Sequence, residues 1–326
     1  KIEQDQSCFI SASIGVSTFP HDGRDRKTLT QNADRAMYAV KHNRGKGNYA
    51  YYADGIVEQY QKRKQTESEI KRALLEKDQF ILYFMPQIDI ETGGLCAVEA
   101  LTYLQKTTGD IMAPSEFIPV AEKSNLIISV EELVFDKAVQ QSLQWFDKLE
   151  AAKHFRLIVN LSSRHFTTGD SLETIDYLLE HVGIPPELLD LEISETAMSN
   201  DPKAIKKLHD VHRKNVHITL DNYGSKATSL ISLKRFPISA VKIDRTFVRN
   251  IVEDSTDRAI VKHTIRLAND LGLKTIAQGV ETQEQLELLK NWGCNEAQGY
   301  LFSKALRVDA FSEYMLEFEP AMTKNG

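Results

Sequence analysis

At 326 residues the chain is about twice as long as a typical single domain, which favours one large domain plus a partner piece. Hydrophobic residues make up 42% and charged residues 26%, a globular balance that excludes large-scale disorder. No apolar run approaches the roughly 18 residues that a membrane span needs. A net charge of −6 argues against a nucleic-acid binder held by phosphate contacts. The three cysteines, Cys8, Cys96 and Cys294, are too few and too scattered for a disulfide framework or a zinc ribbon, so a reducing, cytoplasmic compartment is expected. The opening Lys1-Ile2-Glu3 has neither a Met start nor a signal peptide, and the chain reads as a piece of something longer, whose remainder can be membrane-tethered.

Residues 8–19 are β-rich and end at the turn Pro20-His21-Asp22-Gly23. Leu29, Ala33, Ala36, Met37 and Val40 then recur at helical spacing, RGKGN at 44–48 stops that helix, and Tyr49–Tyr52 offers a further strand. Two strands and a helix in roughly 55 residues cannot close a good core alone, so residues 1–55 are expected to be the back half of an α/β domain. Residues 56–79, charged and free of proline, with Ile70, Leu74 and Leu75 on a short apolar stripe, predict a connecting helix. Beyond it, strand signals recur at 80–88, 96–104, 156–162, 189–194, 217–222, 240–245, 274–280 and 297–302. Ser129 with Glu132 predicts a capped helix start, Asp201-Pro202 another, and Gly272 a stop after a helix over 256–271. Eight strands with intervening helices over 80–326 predict a (β/α)₈ barrel, the TIM type, within an α/β fold class. The alternative, an open doubly wound sheet, lacks a Gly-rich phosphate loop after its first strand.

In such a barrel chemistry belongs at the C-terminal strand ends, where polar residues interrupt apolar runs. They are Glu99, Asn160, Glu192 and Glu195, Asp221 and Asn222, Lys242 and Asp244, and Gln278 and Glu281. Carboxylate and amide oxygens without clustered His or Cys select hard cations such as Mg²⁺ or Mn²⁺. Glu99, Asn160, Glu192 and Asp221 together form a candidate set for one such ion, with Lys242 as the cation facing a phosphate oxygen. His209 and His212 have metal-like spacing but no third ligand nearby, and read as a solvated helix face. The basic run from Lys41 to Lys46 reads as a solvated helix end, and Trp145 and Trp292 as packing residues.

These residues carry a resemblance. Glu99-Ala100-Leu101, EFIPVAE at 116–122, VNLSSRHF at 159–166 and LEISE at 191–195 stand in order with LKRFPISAVKIDRTFV at 233–248, GVET at 279–282 and QGYLFS at 298–303. Over roughly residues 60–318 the sequence resembles the EAL family of cyclic di-GMP phosphodiesterases. Before that, SASIGVSTFPHDG and ADRAMYAVKHNRGKGN resemble the C-terminal part of a GGDEF (diguanylate cyclase) domain. The resemblance implies a barrel that binds a cyclic dinucleotide across its strand ends and cleaves one phosphodiester with Mg²⁺ or Mn²⁺. It implies Glu99, Asn160, Glu192 and Asp221 as metal ligands, Lys242 as the phosphate-facing lysine and Glu195 as a brace for the loop after the fifth strand. Asp244 and Glu281 match further active-site acids; Leu101, Gln298, Tyr300 and Phe302 complete the expected nucleotide contacts.

The departures from the family pattern fall at the reacting centre. DNYGSKATS at 221–229 places Asn222 where the family has a second aspartate, and AQGVET at 277–282 places Gln278 where it has the general base. An amide cannot accept a proton at neutral pH, and general-base assistance is worth about 10²–10⁴-fold in rate. Asn222 removes a charge that the family uses around a second metal, so one residual metal site is expected. Met85, Tyr103 and Ala305 stand where the family has a nucleotide-contacting glutamine, an arginine and a proline; the loss of that arginine removes a bidentate phosphate donor. Tyr103 reads either as a base-stacking or as a packing residue, and Lys226, in place of a glycine, as a partial substitute for the missing metal charge. The reading is a catalytically silent or very weak EAL domain in a bacterial GGDEF–EAL signalling protein. It acts as a cyclic di-GMP receptor or, having lost the nucleotide, through an unidentified protein partner, and a homodimer is expected. The alternative is an active phosphodiesterase that yields the linear dinucleotide.

Overall fold

The computed structural model describes residues 11–43, 48–52, 54–148, 155–162, 164–165, 171–194, 202–224, 233 and 235–322. Among them, no helix is long and apolar enough to cross a membrane. The chain forms two compact units, Lys1–Glu69 and Ile70–Gly326. In the first, β1 (Ile14–Val16) and β2 (Tyr49–Tyr51) pair in parallel, Ile14 opposite Tyr49, with α1 (Arg26–Asn43) between them in sequence. A Cβ on Gly15 would fall 1.9 Å from the Ala33 carbonyl, so the glycine is what lets α1 lie directly on β1. The strand expected over 8–19 shrinks here to three described residues. The helix α2 (Asp54–Glu76) covers most of the expected 56–79, and the boundary between the units falls inside it.

In the second unit eight strands close a barrel: β3 (Phe80–Asp89), β4 (Leu95–Gln105), β6 (Arg156–Leu161), β7 (Leu189–Ser194), β8 (His217–Tyr223), β9 (Ala240–Ile243), β10 (Lys274–Gln278) and β11 (Glu296–Gln298). Short strands β5 (Ile111–Met112) and β12 (Leu306–Arg307) flank it on β4 and β3. The (β/α)₈ expectation holds, with one change: β3 runs antiparallel to both of its barrel neighbours, β4 and β11. Only five residues separate β3 from β4, and Asp89 Oδ1 accepts from Thr92 N at 2.8 Å to close a hairpin; a parallel crossover needs about a dozen residues or more.

Helices alternate with the strands: α3 (Pro114–Lys123), α4 (Ile127–Lys148), α5 (Ser171–Tyr177), α6 (Pro202–His212), α7 (Arg245–Val248), α8 (Ser255–Asp270), α9 (Gln283–Asn291) and α10 (Val308–Met322). Helix α6 begins at Pro202 and α8 is followed by Gly272 at φ +74°, both as expected. The Ser129–Glu132 start is corrected, because α4 already begins at Ile127. The chain turns at Asn125 (φ +61°), where Leu126 N donates to Ala121 O at 2.9 Å, so Ser129 lies inside the helix. The strand expected over 297–302 ends at Gln298, since the chain bends at Gly299 against Val280, whose N–H donates to Gln298 O at 3.1 Å.

Strands sandwiched between helices and barrel interior bury both faces, and their outward residues (Leu157, Val159, Leu191, Ile193, Leu220, Val241) join Phe135, Val139 and Leu208 in one apolar cluster. Trp145 lies in this cluster with its indole 4.7 Å from Phe84, as its packing role requires, and Trp292 is partly buried in a second cluster. The inward residues are different. Toward the N-terminal strand ends Arg156 donates to Asp190 (3.2 Å) and Glu296 (2.5 Å), and Thr219 donates to Asp190 at 2.9 Å. Two residues further along β7 the same face reaches Glu192, at the opposite mouth.

Candidate active and ligand-binding site

Strand register brings the expected residues to one end of the barrel. Glu99 stands opposite Ile158 on β6, Asn160 opposite Glu192, Ser194 opposite Asp221 and Gln278 opposite Gln298. At the centre is Lys242, 1% exposed, whose Nζ lies 2.8 Å from Glu99 Oε2 and 2.6 Å from Glu192 Oε1. Glu99 also accepts from Asn160 Nδ2 and Gln298 Nε2, each at 2.9 Å. Burial opposes the charge of Glu99, yet the Lys242 ammonium and these donors outweigh it and hold its carboxyl below the usual glutamate range. Lys242 is likewise opposed by burial and held charged by Glu192, Glu99 and Asp221, which raise its pKa.

Three carboxylates surround a single ammonium, and the imbalance shows in the other two. Burial, with Glu99 and Asp221 adding to it, pushes the Glu192 carboxyl well above its ordinary range, and burial likewise raises Asp221. Glu192 Oε2 is buried with no hydrogen-bond partner. A buried carboxylate that shares its one ammonium with Glu99 and keeps an unpartnered oxygen, beside Glu99, Asp221 and the Asn160 amide, belongs to a donor set suited in kind to a hard divalent cation. Among the described residues, no three acidic, His or Cys side chains are already drawn together as a coordination shell.

Asp221 and Asn222 sit where the β8–β9 register slips, between Leu220 and Tyr223, and Asn222 takes φ +55°, a conformation asparagine tolerates better than most residues. Both Asn222 groups turn onto its neighbour: its N–H donates to Asp221 Oδ1 at 2.7 Å and its side-chain amide donates to Oδ2. An aspartate here would set a second negative charge against Asp221. Asn222 is thus a donor where an acid would repel.

Two clefts open on this mouth. One, about 380 Å³, runs from Glu99, Asn160, Glu192 and Asp221 past Leu101 to the apolar side chains of Phe117 and Val130. The other, about 390 Å³, is bordered by Met85, Arg245, Arg249, Gln278, Glu281 and Tyr300. A depression of about 480 Å³ in the first unit, around Gln31, Arg35 and Tyr38, contains none of the expected site residues. Asp244 caps α7, accepting from Thr246 N and Thr246 Oγ1 at 2.7 Å, and Phe302 packs against both apolar clusters. Gln298 is committed to Glu99 through its nitrogen, while its Oε1 has no partner. Glu195 and Lys226 lie outside the described residues, as do the side chains of the run Lys41–Lys46. His209 and His212 are exposed on α6, as a solvated face requires.

Sequence reasoning missed Arg245 and Arg249, one helical turn apart on the second cleft. It also missed Glu131, a buried acid on α4 that accepts from Ser162 N (2.7 Å) and contacts His165 Nδ1 (3.1 Å) beside the first cleft. The signal for the arginines was present in KIDRTFVRN, a short helix opening directly at a strand end.

A family model described as the EAL domain matches residues 67–305. The chain belongs to the EAL-domain family. It is 35% identical over 301 residues to the bifunctional diguanylate cyclase/cyclic di-GMP phosphodiesterase MucR of Pseudomonas aeruginosa, an alignment covering 92% of this chain and 43% of the relative. With the signaling protein YkoW of Bacillus subtilis it shares 33% identity over 315 residues, 96% of this chain and 39% of the relative. The chain therefore spans less than half the length of these curated relatives. Among solved structures, a PaMucR phosphodiesterase in complex with c-di-GMP superposes with a TM-score of 0.71 at 33% identity, covering 76% of this chain and 99% of that one. The EAL enzyme Bd1971, with cAMP and cyclic-di-GMP bound, gives 0.73 at 26% identity, covering 79% and 70%. The EAL barrel and membership of a cyclic di-GMP phosphodiesterase family are thus settled for this chain.

Proposed function

We propose that this EAL domain binds cyclic di-GMP across the barrel mouth and hydrolyses it very slowly or not at all, serving a signalling protein as a receptor or regulator. The observation that carries the reading is Gln278, a neutral amide at the end of β10 on a cleft whose one acidic lining residue, among the described residues, is Glu281. A group at this position can hold a water but cannot take its proton, so the attack on phosphorus lacks a base. Asn222 compounds this, since it engages both oxygens of Asp221. Glu99, Asn160, Glu192 and Asp221 would hold a single Mg²⁺ or Mn²⁺, which would supply charge stabilisation at a phosphate oxygen. Lys242 keeps the acids in place, and Arg245 and Arg249, with no carboxylate partner among the described residues, give the second cleft a positive balance that suits the phosphates. The titles of related structures, which report c-di-GMP bound, support this ligand. Residues 1–55 fit the C-terminal part of a GGDEF domain joined by a helix to the EAL domain at 80–326, an organisation supported by the relative named as both cyclase and phosphodiesterase.

Calorimetry with cyclic di-GMP, with and without Mg²⁺, tests the binding, and chromatography of the same mixtures tests turnover. Micromolar binding without linear product is expected. No heat and no thermal shift at high micromolar nucleotide would reject the receptor. A second reading, a working phosphodiesterase, is favoured by the retained acids and the unpartnered Glu192 Oε2, and would appear as steady product formation.

A further inference from the structure

Asn160 differs from the other candidate ligands of the cation site in how it is held. Glu99 and Glu192 are buried, at 5% and 1% exposure, and packing fixes them. Asn160 is exposed, and among the described residues its side chain makes one hydrogen bond, from Nδ2 to Glu99 Oε1 at 2.9 Å. That bond occupies the nitrogen and leaves Oδ1, the atom able to ligate, free to face an ion. Where Oδ1 points then depends on the backbone at the end of β6.

The group that fixes this backbone lies on α4. Glu131 is a buried acid, and among the described residues no lysine or arginine pairs with it. Both of its oxygens go to the turn just past β6. Oε1 accepts from Ser162 N at 2.7 Å, while Oε2 accepts from Ser162 Oγ at 3.1 Å and contacts His165 Nδ1 at 3.1 Å. His165 N in turn donates to Ser162 O at 3.2 Å, closing the turn on itself. Ser162 follows Asn160 by two residues, so a carboxylate anchored on a helix grips the chain within one pleat of the ligand. Glu131, Ser162 and Asn160 also border the same cleft.

His165 in turn fixes the carboxylate. Its buried ring lies edge-on to Phe135, the centroids 6.2 Å apart at 77°. Glu131 and Phe135 are one helical turn apart on α4, so a single face of that helix holds the imidazole at two points. A carboxylate only accepts, so Nδ1 carries the proton toward Glu131, and Nε2 is left buried without a partner. An apolar residue would pack here without that unsatisfied nitrogen, and a buried acid is costly unless it is hydrogen-bonded. Polar groups bonded in series behind a metal ligand are the usual means of orienting it.

We infer that Glu131, held by His165, is a positioning residue for the cation site, keeping the end of β6 where Asn160 Oδ1 can face the ion. This role presupposes the single Mg²⁺ or Mn²⁺ of the proposed function and adds the side chains that stand behind one of its ligands.

The test is titration of the whole chain with Mn²⁺ alone, the free ion being read by electron paramagnetic resonance. Wild type is compared with Glu131→Ala, Glu131→Gln, Asn160→Ala and the double variant Glu131→Ala/Asn160→Ala, and thermal melts check folding. Outer-shell groups carry about 10–100-fold of metal affinity, and Glu131→Ala is expected to weaken Mn²⁺ about tenfold. Glu131→Gln, whose carbonyl can still accept from Ser162 N, should recover most of that loss. Because Glu131 acts through Asn160, its removal should have no further effect once Asn160 is alanine. His165→Phe keeps a ring against Phe135 and loses the bond to Glu131. It carries the test if Glu131→Ala does not fold, and should weaken Mn²⁺ severalfold in the same cycle. A lowered melting temperature with unchanged Mn²⁺ affinity, or losses that add to that of Asn160→Ala, would overturn the positioning role and leave the cation site standing. A wild type that binds no Mn²⁺ at millimolar concentration would overturn both.

Discussion

Replacing Lys242 by Met removes the single ammonium around which the mouth is organised while keeping a side chain of similar length. Lys242 is 1% exposed and contacts Glu99 at 2.8 Å and Glu192 at 2.6 Å, so both carboxylates lose their ion-pair partner in a buried setting, with Asp221 beside them. Breaking a buried pair from one side costs about 3–5 kcal/mol. For a unit of this size each kcal/mol moves the melting temperature by about 2–4 °C, which gives a drop of roughly 10 °C. Proton uptake relieves part of the loss, because protonation removes the unpaired charge. The deficit relative to wild type should therefore be largest near pH 8 and shrink toward pH 5. Urea unfolding of both proteins across that range measures it. A deficit below about 1 kcal/mol, or one that does not change with pH, would show that the acids do not depend on Lys242 for their countercharge.

Glu192→Gln has the opposite sign. The folded-state pKa of Glu192 is raised above its ordinary value by burial and by Glu99 and Asp221, so the ionised carboxylate lowers stability above that folded pKa and the penalty vanishes below the unfolded value. The amide, which resembles the protonated acid, should raise the unfolding midpoint at pH 8 and leave it unchanged at about pH 4; a midpoint that falls at pH 8 would contradict this. Gly299→Ala would set a Cβ 2.1 Å from the carbonyl oxygen and 2.3 Å from the nitrogen of Val280, both backbone atoms, and should cost about 3 kcal/mol by thermal denaturation. A silent substitution there would mean that β11 can move away from Val280 without consequence.

Much of this architecture was legible because barrel strands are short apolar runs whose polar residues fall at one end. Glu99, Asn160, Glu192 and Asp221 could be collected from that pattern before any family was considered, and the register brings them to one mouth. The antiparallel β3 was equally available: Asp89-Ile90-Glu91-Thr92-Gly93-Gly94 is a hairpin turn, and a loop of that length forbids a parallel return. Ser129 misled because a capping pair reads the same inside a helix as at its start, and the deciding feature was the left-handed Asn125 upstream. Other features were not legible at all. Periodicity says which face of β6 and β11 points inward, but not that Arg156 and Glu296 meet across the barrel from positions 140 residues apart. Nor could spacing reveal that Asn222 would turn back onto Asp221, since that depends on the bulge between β8 and β9.

Turnover measured side by side in the wild type and in Gln278→Glu/Asn222→Asp tests the missing base most directly. Both proteins are incubated with cyclic di-GMP and Mn²⁺, and linear dinucleotide is quantified. The pair of restored carboxylates should raise the rate at least about 10²-fold over a wild type that barely turns over, the lower end of what general-base assistance contributes. A wild type that already produces the linear dinucleotide at about 1 s⁻¹ or faster, with no gain from the two carboxylates, would contradict it.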